Sequence, residues 1–368
     1  MAKNPKTRLC IVFGGKSGEH EVSLTSAASV IGALNPEEYE ITVIGITKSG
    51  SIANASEIRR MLPLQLLERV HPSSAIESNS SGMRVLSDAS NEKHVARRAP
   101  QIFFPLLHGP FGEDGTIQGL FEIAGLAYVG CGVLASAVGM DKDVMKRLFL
   151  QAGLPVAPYR ALLVHDLSKN LSSLRKSMAR ELGYPMFSKP ANLGSSVGIR
   201  KIHSDREFNE AVRHSAQFDR KILIETAIDG RELECAILGN EDAEASVVGE
   251  VISAHEFYDY EAKYRSPDSR LEIPARIDEN QSREIRDLAL RSFAAIDGSG
   301  LARVDFFLEN RTGRIWINEI NTMPGFTPIS MFAKLWAASG VSFEELVRRL
   351  IRLGETRYRE RSERRILE

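Results

Sequence analysis

The residues best suited to chemistry lie on two predicted strands near the C-terminal end of the chain. Arg303 and Asp305 are two positions apart on the first strand, and Glu319 and Asn321 are two apart on the second. Strand side chains alternate between faces, so each pair points to one side and the apolar residues between point to the other. Such a polar face can hold Mg²⁺ and stabilise developing negative charge. An ordinary hairpin with a polar outer face would show the same pattern.

Two loops that follow predicted strands are suited to binding anions. Residues 188–198, SKPANLGSSVG, place a lysine at the end of a strand and then a Gly/Ser turn whose amides and hydroxyls can cover phosphates. The order of glycine and lysine there is not that of a P-loop. Residues 321–328, NTMPGFTP, lead into a helix predicted near Ile329, where amides and the hydroxyl of Ser330 can receive a carboxylate. For Ser330, a plain helix cap is the alternative.

The elements that must position these residues begin with alternating strands and helices. Residues 9–13 and 102–107 are predicted buried strands that end in Gly-rich loops. A helix over 22–34 and a strand over 41–46 lie between them. This order predicts an α/β fold with a doubly wound parallel sheet, in which ligands bind at the carboxyl ends of the strands. Residues 51–100 show no clear pattern.

From about residue 131 the sequence predicts a mixture of strands and helices. Strands are expected at 159–164, 184–189, 197–202, 221–225, 232–238, 245–252, 301–308 and 314–320. Helices are expected at about 141–153, 167–181, 205–216 and 280–296, with two more closing the fold. Asp141 suits a helix N-cap, and residues 310–313, NRTG, are typical of a hairpin turn. The highly charged tail from Glu355 is predicted to be a solvated end.

Composition excludes some classes of protein. Lys plus Arg number 47 and Asp plus Glu 48, so the net charge of −1 argues against a dedicated nucleic-acid binder. No stretch approaches the roughly 18 apolar residues that a membrane span needs. Cys10, Cys131 and Cys235 match no metal-ligand spacing, and their sparse use favours a reducing compartment. We therefore expect a cytoplasmic protein with no membrane or nucleic-acid partner.

Taken together and in order, these segments resemble the ATP-grasp superfamily, and within it the D-alanine–D-alanine ligase family. The matching blocks cover most of the chain, with residues 51–100 and the tail outside them, and lie at 13–24, 108–119, 140–142, 189–198, 224–232, 257–264 and 318–325. The resemblance implies an N-terminal α/β domain at 1–130. It also implies two α+β ATP-grasp subdomains, at 131–228 and 229–368, that sandwich ATP.

The resemblance also implies an activity: ATP-dependent joining of two D-alanine molecules through a D-alanyl phosphate, for peptidoglycan precursor synthesis. Two Mg²⁺ ions, with Mn²⁺ as a substitute, would sit on Asp305, Glu319 and Asn321. ATP would be held by Lys142, Lys189, Ser196, Glu225, the backbone of Ile228, Glu232 and Lys263. The family suggests a homodimer. A D-alanine–D-lactate ligase and a non-catalytic nucleotide-binding protein are the alternatives.

For the amino-acid substrates the resemblance implies a trio of Glu19, Ser195 and Tyr264 across the first site, with Glu19 on the ammonium group. Arg303 and the Gly325 amide would bind the oxyanion. The second carboxylate would be bound by Ser330 and the amide of Met331, and a loop at 253–270 would close over both substrates. His108 matches a supporting residue, and a purely structural histidine is the alternative.

Overall fold

Three β-sheets and the helices packed on them form the part of the chain that this computed structural model describes, residues 5–71, 101–252 and 270–363. The strands are β1 (Thr7–Gly14), β2 (Tyr39–Ile46), β3 (Ile102–Leu106), β4 (Ala127–Tyr128), β5 (Tyr159–Leu163), β6 (Met186–Pro190), β7 (Arg200–Ile202), β8 (Lys221–Thr226), β9 (Gly230–Gly239), β10 (Glu244–Ile252), β11 (Arg270–Glu272), β12 (Gly300–Glu309) and β13 (Ile315–Asn321). The helices are α1 (His20–Ala33), α2 (Ala55–Met61), α3 (Leu64–Leu67), α4 (Thr116–Ile123), α5 (Val133–Met140), α6 (Lys142–Gln151), α7 (Val164–Leu182), α8 (Asp205–Ser215), α9 (Glu279–Ala295), α10 (Met331–Ala338) and α11 (Phe343–Ser362).

The N-terminal sheet is parallel, in the order β2-β1-β3-β4, and confirms the predicted α/β organisation. Its central strand β1 is buried on both faces because α1 and α11 pack on one side and α4 on the other. A strand covered on both faces is expected to be apolar along its whole length, as LCIVF is in β1. At its carboxyl end, a Cβ on Gly14 would lie 2.0 Å from the carbonyl oxygen of Ile46, so only glycine fits this turn.

The central sheet is antiparallel, in the order β5-β8-β6-β7, and α7 and α8 cover one of its faces. Met186 and Ile224 point to these helices and are buried with them. Because strand side chains alternate, Phe187 and Lys189 of β6 and Glu225 of β8 point to the opposite face, where they line a cavity. The sheet thus presents charged groups on the face that its helices leave uncovered.

The C-terminal sheet is antiparallel, in the order β11-β10-β9-β12-β13. One face packs against α5, α6 and α9 around Val304 and Ile320, both of which are buried. This burial confirms the predicted apolar side of the hairpin. The predicted turn at 310–313 is also confirmed, with Gly313 in the left-handed conformation at φ 68°.

The prediction of a solvated end from Glu355 is wrong in part: residues 358–360 are exposed, but α11 continues to Ser362 and Arg357 packs on the N-terminal sheet. Its apolar residues recur at helical spacing up to Gly354, which lies against the backbone of Tyr128. One turn later, the guanidinium of Arg357 donates to the carbonyls of Tyr128 and Gly130 and to the Ser299 hydroxyl, and stacks 4.2 Å from the Tyr128 ring. These contacts could not be predicted from the sequence, because a run of charged residues is typical of a solvent-exposed segment.

We expect Arg357→Ala to destabilise the fold, because it leaves the carbonyls of Tyr128 and Gly130 without this donor. The midpoint of thermal unfolding should fall by about 3 °C, the scale of about 2 kcal/mol in a protein of this size. The control is Arg352→Ala, which removes an exposed arginine from the same helix. Equal midpoints for the two variants in differential scanning calorimetry would contradict the assigned role.

Candidate active site

Two adjoining cavities contain nearly all of the predicted site residues that the structure describes. The first cavity, of about 520 Å³, lies between the central and C-terminal sheets. The second cavity, of about 340 Å³, lies between the C-terminal sheet, the loop before α10 and loops of the N-terminal sheet. Gly194, Ser195, Glu234 and Glu319 line both. A third cavity of about 900 Å³, beside Phe293 and Arg357, is lined by none of the predicted residues.

Lys142 connects helix α6 to the wall of the first cavity. It is the first residue of the helix, and Asp141 caps that helix by accepting hydrogen bonds from the amides of Asp143 and Val144, which confirms the predicted N-cap. The Lys142 ammonium donates to the carbonyl of Leu193 at 2.7 Å and lies 3.2 Å from the Glu319 carboxylate. A positive charge is therefore held at the junction of the Gly/Ser loop and β13.

Glu225 lies in the floor of the first cavity between two lysines. Its Oε1 is 2.9 Å from Nζ of Lys189 and its Oε2 is 2.9 Å from Nζ of Lys146. Burial raises the pKa of this carboxyl, but the two ammonium groups outweigh that effect and hold the pKa below its usual value. The carboxylate is thus ionised and engaged on both oxygens by the protein.

Lys146 was not among the residues that sequence reasoning selected. It lies one turn after Lys142 on α6, and residues four apart on a helix share a face. That spacing was a usable signal, although a lysine pattern on a helix usually indicates a solvated surface.

The remaining predicted nucleotide residues also line the first cavity. Ile228 and Glu232 lie where β8 passes into β9, and Ser196 lies in the Gly/Ser loop. Ser195 and Ser196 both adopt the left-handed backbone conformation, at φ 51° and 58°. Non-glycine residues in this conformation store strain and cluster at functional sites. Lys263, predicted for the transferred phosphate, lies outside the described residues.

The register of β12 and β13 places Asp305 opposite Glu319 and Arg303 opposite Asn321. Arg303 binds Asp305 through two hydrogen bonds of 2.7 Å and lies 2.9 Å from the Glu234 carboxylate. Burial alone would lower the pKa of Arg303, but Asp305 and Glu234 raise it well above its usual value. An ionised arginine is therefore held beside the predicted metal ligands.

The donor set on this hairpin has the chemistry that Mg²⁺ requires. Asp305 and Glu319 supply carboxylate oxygens, and Asn321 donates to Asp305 through Nδ2 at 3.0 Å, leaving its carbonyl oxygen as an acceptor. Within residues 5–71, 101–252 and 270–363, no three His, Cys, Asp or Glu side chains group to hold a metal. This absence does not exclude a metal site on the hairpin, because the third ligand predicted there is an asparagine, Asn321.

In the second cavity the structure brings together two members of the predicted trio. The Ser195 hydroxyl donates to Glu19 Oε1 at 2.6 Å, although the residues are 176 positions apart. Glu19 follows the tight turn at Gly14 and immediately precedes α1. The Gly/Ser loop and the N-terminal sheet therefore meet at this hydrogen bond. Tyr264, the third member, lies outside the described residues, as do residues 253–269 of the predicted closing loop.

His108 is buried in the wall of the second cavity with both ring nitrogens engaged. Nδ1 lies 3.0 Å from the carbonyl of Met323, and Nε2 lies 3.1 Å from the hydroxyl of Ser26. Burial lowers the pKa of His108, opposed by the charge of Glu19. The histidine thus joins the end of β3 to the loop that carries Gly325, and its own contacts are those of a structural residue.

Ser330 is the residue before α10, but its side chain makes no capping hydrogen bond to the helix. The hydroxyl instead lies 2.7 Å from that of Thr327 and accepts from the Thr327 amide at 3.2 Å. The alternative of a plain helix cap is therefore wrong. Gly325, Ser330 and Met331 all line the second cavity, at the start of a helix, where amides favour a carboxylate.

Glu113 is a further residue of this cavity that sequence reasoning missed, although it lies in the quoted block 108–119. Its Oε1 accepts from the amide of Gly109 at 3.0 Å. Burial, and then the negative charge of Glu19, raise the pKa of Glu113 to about 8. The lining of the second cavity therefore includes a buried carboxyl group that keeps its proton to unusually high pH.

Known proteins resemble this chain over most of its length. The chain matches two family models, described as "D-ala D-ala ligase N-terminus" over residues 8–131 and "D-ala D-ala ligase C-terminus" over residues 148–352. It is 44% identical to the D-alanine–D-alanine ligase of Acetivibrio thermocellus over 369 residues, covering 96% of this chain and 97% of the relative.

Solved structures show the same likeness. The D-alanine–D-alanine ligase from Coxiella burnetii superposes with a TM-score of 0.78 at 31% identity, over 97% of this chain and 96% of that one. The VanG D-Ala:D-Ser ligase from Enterococcus faecalis superposes with a TM-score of 0.80 at 33% identity, over 95% and 100% respectively.

Glu113 makes the stability of the fold depend on pH. Because its pKa is raised from 4.5 to about 8, the folded chain keeps this proton over a range in which the unfolded chain releases it. Its contribution to stability is therefore complete at low pH and is lost as pH rises through that window. Glu113→Gln keeps the Oε1 acceptor without a titrating proton.

We expect Glu113→Gln and the unchanged chain to unfold at similar temperatures near about pH 5, and the variant to unfold at the higher temperature near about pH 8.5. Thermal melts at both pH values measure the difference. Glu284→Gln, an exposed carboxyl on α9, is the control. A difference between Glu113→Gln and the unchanged chain that is the same at both pH values would contradict the assignment.

Proposed function

The chain belongs to the D-alanine–D-alanine ligase family and is an ATP-dependent ligase, and we propose that its two adjoining cavities are the sites of this reaction. ATP binds in the first cavity and two D-alanine molecules bind in the second. The observation that carries the assignment is the meeting of three groups at one place. These are the Arg303 and Asp305 pair, the Glu319 and Lys142 pair, and the hydrogen bond from Ser195 to Glu19.

For ATP, Lys142 and Lys189 supply positive charge to the phosphates, and Ser196 covers them from the Gly/Ser loop. The backbone from Glu225 to Ile228 borders adenine, and Glu232 lies where it can accept from the ribose hydroxyls. The cavity volume of about 520 Å³ and the location of these residues on its walls support the assignment.

Asp305, Glu319 and Asn321 are the residues that would hold two Mg²⁺ ions, or Mn²⁺ in their place. When bound, these ions supply neutralisation of the phosphate charge. In the structure, the guanidinium of Arg303 pairs with the Asp305 carboxylate and the ammonium of Lys142 pairs with the Glu319 carboxylate, so the protein itself already partly neutralises both carboxylates.

In the reaction, the carboxylate of the first D-alanine attacks the γ-phosphorus of ATP, giving D-alanyl phosphate and ADP. The amine of the second D-alanine then attacks the acyl carbon, and the dipeptide forms as inorganic phosphate leaves. Glu19 binds the ammonium of the first substrate. The start of α10, with Ser330 and the Met331 amide, binds the second carboxylate.

Arg303 and the Gly325 amide stabilise the oxyanion of the second step. Arg303 lines the second cavity, and its partners Asp305 and Glu234 hold the guanidinium in place. A charge that is oriented before the reaction stabilises the transition state without reorganisation at the moment of reaction. No nucleophilic side chain is required.

The biological setting follows from this reaction. We propose that the enzyme acts in peptidoglycan precursor synthesis in the cytoplasm and that it is a homodimer. Each subunit would consist of three domains, at 1–130, 131–228 and 229–368. The three cysteines are free and buried, and burial raises the pKa of Cys10 and Cys235 to about 12 and that of Cys131 to about 11, so these thiols are poor nucleophiles. None of the described helices has the length and apolar character to cross a membrane.

The reaction is tested by phosphate release from ATP with D-alanine alone, with D-alanine plus D-serine, with D-alanine plus D-lactate, and with L-alanine. We expect release with D-alanine alone, one dipeptide for each phosphate, and none with L-alanine. The D-serine arm is included because a matched structure is a D-Ala:D-Ser ligase. Absence of release with every D-substrate combination would defeat the proposal.

We expect Arg303→Ala to bind ATP nearly as well as the unchanged chain and to lower turnover by about 100-fold or more, the scale of losing one oxyanion donor. Steady-state kinetics give turnover, and titration with a non-hydrolysable ATP analogue gives binding. Arg311→Ala, in the exposed turn of the same hairpin, should leave both unchanged. Near-normal turnover in Arg303→Ala would sink the assigned role.

A further inference from the structure

Lys146 is a fully buried cation that does not line either cavity, with only 1% of its side chain exposed. Its ammonium lies 2.9 Å from Oε2 of Glu225 and donates to the backbone carbonyl of Asn318 at 3.0 Å. It also lies 5.8 Å from the ring of Tyr159. A lysine placed in this way needs a reason, because moving an ammonium group out of water is costly.

The charges of this cluster do not balance. Lys146 and Lys189 contribute two positive charges and Glu225 one negative charge, with Glu225 lying between the lysines at 2.9 Å from each. One positive charge therefore remains in excess. Of the two lysines, only Lys189 lines the first cavity, so the excess charge is available on the side of the ligand.

The cluster would be neutral without Lys146. Among the residues that the structure describes, Lys189 would then be the one cation within ion-pair distance of the buried Glu225 carboxylate. An anion in the first cavity would have to draw Lys189 away from a carboxylate with no other cation. Leaving a buried carboxylate without its partner is strongly unfavourable, so that competition would weaken the binding of the anion.

We propose that Lys146 is a positioning residue for the nucleotide: it neutralises Glu225 from beneath the cavity and so leaves the Lys189 ammonium available to the phosphates of ATP. This inference rests on the proposed function in one respect, that the ligand of the first cavity is a nucleotide. It adds a residue that acts through Glu225 and Lys189 and touches neither substrate.

The variant Lys146→Met removes the charge and keeps an unbranched side chain of similar length. We expect KM for ATP to rise about tenfold or more, the scale of weakening one charge-assisted contact, with kcat changed by less than about twofold. KM for D-alanine should not change. Lys146→Arg retains the charge and should recover most of the affinity for ATP.

The control is Arg147→Met, on the same helix. It also removes one positive charge, but from a side chain that is 67% exposed and paired with Asp143. It should leave both KM values unchanged. An equal rise in KM for ATP in Arg147→Met and Lys146→Met would overturn the proposal, because it would show a general effect of charge.

The decisive variant is the double substitution Lys146→Met with Glu225→Gln, which removes both members of the pair. If Lys146 acts by neutralising Glu225, Lys146→Met should weaken ATP binding about tenfold in the unchanged chain but by less than about twofold when Glu225→Gln is already present. Any contact of Glu225 with the nucleotide is lost from both proteins in the second comparison, so it does not affect the result. A merely structural role predicts the same loss in both backgrounds, and that outcome would overturn the proposal.

Affinity is also measured directly, as the Kd of a non-hydrolysable ATP analogue by titration calorimetry. This measurement separates the two proposals. Wild-type protein that binds the analogue but releases no phosphate with D-alanine contradicts the proposed reaction, while the Kd values of the variants still test Lys146. An unchanged Kd in Lys146→Met overturns the inference whatever the turnover.

If Lys146→Met does not fold, the double variant, whose buried pair is neutral, is compared with Glu225→Gln. A Kd for the double variant within about twofold of that of Glu225→Gln supports the proposal, and a weaker one overturns it.

Discussion

The carboxylate of Glu225 lies buried between two lysine ammonium groups, and the same pairing of a buried charge with an opposite charge recurs nearby. Arg303 lies between Asp305 and Glu234, and Lys142 lies against Glu319. A charge out of contact with water is tolerated only with such a partner. Because the partners belong to different elements, these pairs require α6, the central sheet and the C-terminal sheet to meet in one arrangement. Burial of apolar side chains between the sheets and their helices supplies the attraction, and the charged pairs make the arrangement specific.

The same constraint explains why the proposed site lies at this junction. Helices cover one face of the central sheet, and its other face meets the part of the C-terminal sheet that α10 leaves uncovered across the first cavity. The groups on these faces are cations and carboxylates already paired with one another. Phosphates and divalent ions are the ligands that can share such pairs without leaving a buried charge unpartnered. Nucleotide and metal binding in the proposed function therefore use the interactions that join the two sheets.

Several features were predictable from local pattern, and others were not. The burial of Val304 and Ile320 confirms the two faces of the C-terminal hairpin, because alternation along a strand is a local property. Asp141 as an N-cap is similarly local. For the charged segment from Glu355, the prediction missed a helix that continues to Ser362 and the contacts of Arg357 with Tyr128 and Ser299. Lys146 and Glu113 were missed because a charged residue usually indicates solvent, and only packing reverses that expectation.

By itself the sequence determined which side of each strand is polar, where the Gly-rich turns lie, and the order of the motifs that carry the family resemblance. These properties depend on residues within a few positions of one another. Tertiary structure alone decided that Ser195 meets Glu19 across 176 positions and that Lys146 lies beneath Glu225. Distances of that kind are set by how helices and sheets pack, and the energy of packing depends on surfaces that no short stretch of sequence contains. The alternating pattern of the C-terminal hairpin is therefore a local property, and the place of that hairpin in the proposed ligase site is a consequence of the fold.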